Sequence, residues 1–194
     1  MRVRSVPTAV DRTAQTVTRE NGSTLPYDYL VVALGSRAND VGIPGIVEHC
    51  RFIDSLNDAD TLYSEFRKAL QTARAAGQKL SLGIVGGGAT GVQLAAELCK
   101  AIDEAPGLGV SVRKNGMDAV LIETGPRILP AFPEAVSEAA AAQLEKLGIS
   151  VRTGAMVDGA DENGFNLKSG EQIPETIGIW AAGVRRSDAT TLFN

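Results

Sequence analysis

A glycine-rich turn of the type G-x-G-x-x-G lies near the middle of the chain, at Gly86, Gly87, Gly88, Ala89, Thr90 and Gly91. Apolar residues 80–85 before the turn predict a strand, and residues 89–103 after it predict a helix with one apolar face. In this order the three elements are typical of dinucleotide binding, because the N–H groups at a helix N-terminus can donate to a pyrophosphate. A tight turn that binds nothing is the alternative interpretation.

Three of the glycines have distinct expected roles in such a turn. Gly86 permits the sharp change of direction from strand to helix, and Gly88 lets the backbone approach a phosphate without an intervening Cβ. Gly91 lets the helix pack closely on the strand. The spacing therefore predicts a ligand with two linked phosphates.

An acidic residue at the end of the next strand would select the nucleotide. Residues 118–123 predict a second buried strand that ends in Glu123, whose carboxylate could accept hydrogen bonds from the ribose hydroxyls and repel a 2′-phosphate. Glu123 stands 32 residues after Gly91, against about 20 in the usual motif, and a predicted loop at residues 105–117 supplies the excess. We expect NAD(H) rather than NADP(H). Arg127 leaves the alternative open, either as a cation for a 2′-phosphate or as a solvated loop charge.

The elements around this turn predict an α/β fold, a Rossmann-like parallel sheet with flanking helices and a β-meander. Ser55 is expected to cap a helix that Gly77 ends, and residues 133–147 form a second helix with an apolar stripe at Val136, Ala140, Leu144 and Leu147. Strands are expected at residues 149–153 and 176–181. Between them, glycine turns at residues 163–164 and 169–170 indicate the meander.

The N-terminal part has a different pattern. Residues 2–10 and 15–19 alternate as short antiparallel strands do, with a reversing turn at residues 21–23. Residues 28–34 are continuously apolar and predict a strand buried on both faces. Residues 36–50 show no period and are expected to be an irregular connection.

Composition limits the classes of function. The chain has 194 residues, 44% of them apolar, and a net charge of −4, which indicates one domain or one domain plus part of another. It lacks the basic character of a nucleic-acid-binding protein, and no run reaches the roughly 18 apolar residues of a membrane-spanning helix. Cys50 and Cys99 are too few and too far apart for a disulfide framework or a metal site of usual spacing.

Four segments, in the same order, resemble the FAD-dependent pyridine nucleotide oxidoreductases, and within them the type II NADH:quinone dehydrogenases. Residues 84–98 resemble the NADH-binding motif, and residues 120–130 resemble the segment that follows it in that family. Residues 26–35 resemble the strand that leaves the FAD domain, and residues 179–185 resemble the strand end next to the flavin. The resemblance extends over nearly the whole chain.

The resemblance implies an NADH-binding portion that presents the nicotinamide to FAD, with a quinone as the final acceptor in the full-length enzyme. It implies a remnant of the FAD domain at residues 1–50, a connecting helix at 51–78, the NAD(H)-binding domain at 79–183 and a return to the FAD domain at 184–194. It also implies a cytoplasmic protein held peripherally at the inner face of the cell membrane through a C-terminal region. Neither the first FAD motif nor that region is recognisable, so we expect the chain to be a central portion that is inactive alone.

The resemblance assigns no catalytic side chain and no metal site. Besides the glycine turn and Glu123, the residues it places at the cofactors are Gly35, Gln93, Ala182 and Gly183. Gln93 stands where the family usually has glutamate, so a carboxylate-assisted proton route at this position is in doubt. Two alternatives remain open: a reductase with another acceptor, such as ferredoxin, rubredoxin, oxygen or peroxide, and a dinucleotide-binding module without redox chemistry.

Overall fold

The computed structural model describes residues 5–104, 116–187 and 192. The chain forms two compact units, one of residues 1–37 with 184–194 and a larger one of residues 38–183. The prediction from sequence also divided the chain after residue 183, but its first boundary, after residue 50, lies inside the larger unit. The assignment of the units to parent domains stays a prediction.

The smaller unit contains a three-stranded antiparallel sheet of β1 (Pro7–Asp11), β2 (Thr16–Arg19) and β3 (Thr24–Pro26). Gly22 has a φ of 77° in the turn between β2 and β3, a conformation that favours glycine. Strands β4 (Ser36–Ala38) and β13 (Val184–Arg186) form a separate two-stranded sheet. The predicted antiparallel strands and their reversing turn are confirmed, except for residues 2–4, which lie outside the described residues.

The strand predicted at residues 28–34 is wrong. These residues form no regular element, and Tyr29 and Val31 are 94% and 85% exposed. A continuous apolar run becomes a doubly buried strand only where other strands pair with it and further layers cover both of its faces. No strand within the described part of the chain pairs with this run. Its hydrophobicity therefore could not predict its conformation.

The larger unit is organised around a five-stranded parallel sheet, which confirms the predicted α/β class. Its order is β5-β12-β6-β7-β8, and each strand pairs in parallel with its neighbours. The strands are β5 (Cys50–Arg51), β6 (Leu80–Val85), β7 (Met117–Ile122), β8 (Ile149–Arg152) and β12 (Ile177–Trp180). Strand β6 is central and is buried along almost its whole length. The carboxyl ends of β6, β7 and β12 consequently meet at one edge, where open α/β sheets bind ligands.

Three longer helices belong to this unit: α2 (Leu56–Ala75), α3 (Ala89–Glu104) and α4 (Glu134–Lys146). Ser55 caps α2 as predicted, since its Oγ accepts a hydrogen bond from Asp58 N at 3.2 Å. Leu62, Phe66 and Leu70 of α2 are buried in the same core cluster as the sheet. Helix α2 is therefore packed within the larger unit, and its role as a connection between parent domains stays a prediction.

The apolar stripe predicted for α4 is partly wrong. Val136 is 42% exposed, whereas Ser137 is 3% exposed and Leu144 is 2% exposed. The buried face of α4 therefore includes Ser137, whose hydroxyl has a polar partner that is described below. Pro133, expected as the first helical residue, is the N-cap.

An antiparallel meander of β9 (Val157–Asp161), β10 (Gly164–Leu167) and β11 (Gln172–Pro174) confirms the prediction. Phe165 of β10 is fully buried in a second core cluster that also contains Trp180 and Ile122. Residues 36–50, expected to be irregular, instead include helix α1 (Ile46–His49) and lead into β5. Ile46 is fully buried, and such short elements have no recognisable period. Residues 105–115 of the predicted loop lie outside the described residues.

Candidate functional site

The glycine turn connects β6 to α3 at the carboxyl edge of the sheet. Gly86 has a φ of 117°, and its N–H donates to Ile122 O of β7 at 2.8 Å. A Cβ at this position would approach the Ala181 carbonyl group and Ala182 N to within 2.7–2.8 Å. Both the backbone conformation and the close approach of the chain after β12 therefore require glycine at position 86.

Gly88 and Gly91 have opposite surroundings. Gly91 is buried, and a Cβ there would collide with the Gly86 carbonyl oxygen. Gly88 is exposed, and a Cβ there would meet no atom within 4 Å. The close approach of helix to strand predicted at Gly91 is therefore present, and the space in front of Gly88 is open to a ligand.

Hydrogen-bond donors are concentrated beside this open space. Val92 N–H donates to Gly88 O at 3.0 Å in the first turn of α3, and the N–H groups of residues 89–91 precede it. A helix leaves its first N–H groups without intrahelical partners, and its N-terminus carries a partial positive charge. The arrangement fits a phosphate group, and α3 spans 16 residues, enough for a developed dipole.

Glu123 lies directly beyond β7 and contacts the turn. Its Oε2 accepts a hydrogen bond from Gly87 N at 2.6 Å, and its Oε1 accepts one from Gly125 N at 2.7 Å. A carboxylate has about four lone-pair directions, so two bonds to the backbone leave acceptor capacity for hydroxyl groups. The predicted position at the end of the second strand is present, while the contact with ribose stays a prediction.

Arg127 is neither a solvated loop charge nor a free cation for a 2′-phosphate. Its guanidinium donates to Leu129 O at 3.0 Å, to Pro130 O at 2.9 Å and to Ser137 Oγ. These acceptors bind the loop after β7 to the first turns of α4. The burial of Ser137 could not be predicted from the sequence, because a serine within an alanine-rich helix gives no signal of burial.

The remaining predicted site residues lie at several places. Ala182 is half-buried at the chain segment that crosses Gly86, and Gly183 follows it with a φ of 71°. Gln93 is exposed in the second turn of α3. Gly35 belongs to the smaller unit and has a φ of 66°. Their roles at a nicotinamide or flavin stay predictions.

A second glutamate, which the sequence did not single out, lies near the amino end of the same strands. Burial raises the pKa of Glu175 from 4.5 to about 7, although the nearby charge of Arg51 lowers it. Its Oε2 is buried without a hydrogen-bond partner among the described residues. Burial, and secondarily Glu175, also raises the pKa of the Cys50 thiol to about 12. Cys50 is therefore a protonated core thiol at neutral pH, and Cys99 is also buried.

The sequence that folds in this way matches the model of a known protein family. The model of the family described as pyridine nucleotide-disulphide oxidoreductase matches residues 2–192. The chain belongs to this family. The resemblance stated from the four sequence segments is thereby confirmed.

Several curated relatives are similar in sequence. The chain is 34% identical over 192 residues to the type II NADH:quinone oxidoreductase of Haemophilus influenzae, a match that covers 88% of this chain and 42% of that protein. It is 33% identical over 177 residues to the external alternative NAD(P)H-ubiquinone oxidoreductase B1 of Solanum tuberosum, covering 85% of this chain and 31% of that one. The chain thus spans about a third to two fifths of the length of these relatives.

Solved structures share the fold. NDH2 from Plasmodium falciparum in complex with NADH superposes with a TM-score of 0.77 at 24% identity, over 95% of this chain and 41% of that one. An FAD-dependent pyridine nucleotide-disulphide oxidoreductase from Desulfovibrio vulgaris gives a TM-score of 0.61 at 27% identity, over 92% and 42% of the two chains.

Proposed function

We propose that the larger unit binds NADH at the glycine turn. The observation that carries the proposal is the open space in front of Gly88, beside the N-terminus of α3 and next to the Glu123 carboxylate. Family membership supports the same ligand. The N–H groups at the start of α3 would bind the pyrophosphate, and Glu123 would accept hydrogen bonds from the adenosine ribose. Gln93, Ala182 and Gly183 would adjoin the nicotinamide.

The finer proposal is that the whole protein is a flavin-dependent NADH:quinone oxidoreductase. The relatives from Haemophilus influenzae and Solanum tuberosum are quinone oxidoreductases, which supports a quinone as acceptor. The solved relative from Desulfovibrio vulgaris is FAD-dependent, which supports FAD. Bound NADH supplies a hydride. The residues of this chain would bind and orient the dinucleotide, and no acid or base of the described part is assigned to the transfer.

Location in the cell is part of this proposal. We propose a protein on the inner face of the cell membrane, as for the enzyme class that the sequence resembles. Within the described residues, no helix is long and apolar enough to cross a membrane.

Calorimetric titration of the chain with NADH and with ADP-ribose tests the first proposal. We expect both to bind with a dissociation constant between about 10 μM and 1 mM, equivalent to roughly 4 to 7 kcal/mol, because the adenosine and pyrophosphate contacts are local. Equal affinity for nicotinamide mononucleotide would show that the adenosine half of NADH makes no contact, and would contradict the role of Glu123. Absence of heat with millimolar NADH and ADP-ribose would overturn the proposal.

The second proposal needs the protein encoded by the complete reading frame. We expect that protein to purify with FAD and to oxidise NADH when a soluble ubiquinone analogue is added. Oxidation with ferredoxin or oxygen but not with the quinone would replace quinone by another acceptor. A complete reading frame without any flavin-binding motif would favour the non-redox binding module.

A further inference from the structure

The two peptide groups on either side of Gly87 are each hydrogen-bonded to a residue outside the glycine turn. Gly87 N–H donates to Glu123 Oε2 at 2.6 Å, and Gly87 O accepts from Leu129 N–H at 2.7 Å. In a trans peptide the C=O of one residue and the N–H of the next point in opposite directions. The bond from Leu129 therefore turns the N–H of Gly88 away from Leu129, and so fixes the direction of a donor beside the open space.

Leu129 itself is held in an unusual backbone conformation. Its φ is 50°, in the left-handed region that costs a non-glycine residue energy. Its carbonyl oxygen accepts hydrogen bonds from the Arg127 guanidinium at 3.0 Å, from Phe132 N at 3.0 Å and from Ser137 Oγ at 3.4 Å. Leu129 is 9% exposed. Polar contacts and burial together hold this residue in place.

Arg127 is the centre of these contacts. It spans Leu129 O, Pro130 O and the Oγ of Ser137, and Ser137 is 3% exposed at the start of α4. A guanidinium offers five donors in a rigid planar fork, which lysine cannot reproduce. Two backbone carbonyl groups and one side-chain hydroxyl accept from this fork, so its charge is directed at the protein and not at a nucleotide.

We propose that Arg127, through Leu129, positions the Gly87–Gly88 peptide for the pyrophosphate of NADH. This inference rests on the proposed function, because the peptide matters only if a phosphate binds there. Arg127 is a positioning residue: without its fork, Leu129 is free to leave the left-handed conformation and release Gly87 O. The Gly88 N–H would then lose its fixed direction, and the nucleotide would have to order the turn on binding.

The variants Arg127→Met and Arg127→Lys distinguish positioning by the guanidinium from an effect of its positive charge alone, because lysine keeps the charge and loses the fork. If Arg127 positions the turn, we expect both variants to weaken NADH and ADP-ribose binding about tenfold, with little recovery by lysine. Arg152→Met is the matched control, because Arg152 is an arginine at the end of neighbouring strand β8 whose side chain pairs with Glu171 at 2.8 Å. We expect this control to change affinity less than twofold.

Amide hydrogen exchange of the nucleotide-free protein provides a readout that does not depend on binding. We expect exchange at Leu129 N–H to accelerate at least tenfold in both Arg127 variants, while amides in the centre of α3, such as Cys99, keep their wild-type rates. General destabilisation would instead accelerate both sets together and would overturn the proposal. Recovery of affinity by lysine, or unchanged exchange at Leu129, would also overturn it.

The two proposals fail in different ways. If the wild-type chain binds neither NADH nor ADP-ribose, the proposed function fails even where exchange shows that Arg127 orders Leu129. If the wild type binds and the Arg127 variants bind equally well, the proposed function stands and the positioning role is wrong.

Discussion

A glutamate lies beside glycine backbone at each end of the central strands, and the two carboxyl groups differ in their hydrogen-bond partners. At the carboxyl end, both oxygens of Glu123 accept backbone N–H groups. Near the amino end, Glu175 occupies the space that a side chain at Gly178 would need, and its buried Oε2 has no partner among the described residues. Only the first carboxylate has a backbone N–H donor on each of its two oxygens.

The difference follows from the direction of the parallel strands. At their carboxyl ends the chain turns into helices and loops whose N–H groups are free to donate, so a carboxylate is satisfied there. Near the amino end, Glu175 is covered by the meander, where Phe165 lies over Gly83. Burial raises the pKa of Glu175 to about 7, although the nearby charge of Arg51 lowers it. The same residue type is therefore hydrogen-bonded to the backbone at one end of the strands and partly buried beneath the meander at the other.

We expect the largest effects from replacing either of two glycines at the carboxyl ends of the strands, Gly88 and Gly91, by valine. We expect Gly88→Val to reduce NADH affinity about 100-fold, or about 2.7 kcal/mol, because its side chain would fill the open space. Stability should remain within about 1 kcal/mol of wild type. Calorimetry and urea denaturation would measure the two quantities.

Gly91→Val is the matched substitution for this experiment. Its Cβ would collide with Gly86 O, so we expect the free energy of unfolding to fall by more than about 3 kcal/mol. A stable Gly91→Val protein would contradict the packing at the edge. A stable Gly88→Val protein with retained affinity would mean that the phosphates bind elsewhere.

Near the amino end of the strands, Glu175 should make the free energy of unfolding depend on pH. Because folding raises the pKa of Glu175 from 4.5 to about 7, its contribution is fully present below pH 4.5 and is lost as the pH rises to 7. We expect Glu175→Gln to be more stable than wild type at pH 8 by on the order of 2 kcal/mol, and to lose this advantage at pH 4.5.

Urea denaturation at several pH values would measure this effect, with Glu162→Gln as the control because Glu162 is exposed on the turn after β9. The control should show the same difference from wild type at pH 4.5 and pH 8. If the difference in stability between Glu175→Gln and wild type did not change with pH, burial would not raise the pKa of Glu175.

The smallest expected effect concerns Glu123 and the choice of nucleotide. Glu123→Gln should weaken NADH binding about tenfold, equivalent to about 1.4 kcal/mol, and narrow the preference over NADPH, because repulsion of a 2′-phosphate is removed. Titration of both nucleotides at fixed ionic strength measures this, with Glu134→Gln of α4 as an exposed control. If wild type already prefers NADPH, or the preference is unchanged, Glu123 does not bind the ribose.

Local patterns predicted the elements whose signal is contained within a few residues. The glycine turn and the apolar strand before it specify a strand–turn–helix unit, and Ser55 specifies the start of α2, because each signal follows from local backbone conformation and periodicity. Gly86 illustrates this: its position in the motif predicted a tight turn, and its φ is 117°.

What depended on contacts between distant segments could not be predicted. The run at residues 28–34 has the composition of a buried strand but forms none, because pairing partners are not encoded within the run itself. The contacts of Arg127 with Leu129 and Ser137 were decided by tertiary structure alone. The same is true of the burial of Glu175 Oε2, which has no partner in the described part of the chain. Hydrogen bonding and burial depend on which groups folding brings together, and the separation of those groups along the chain does not reveal it.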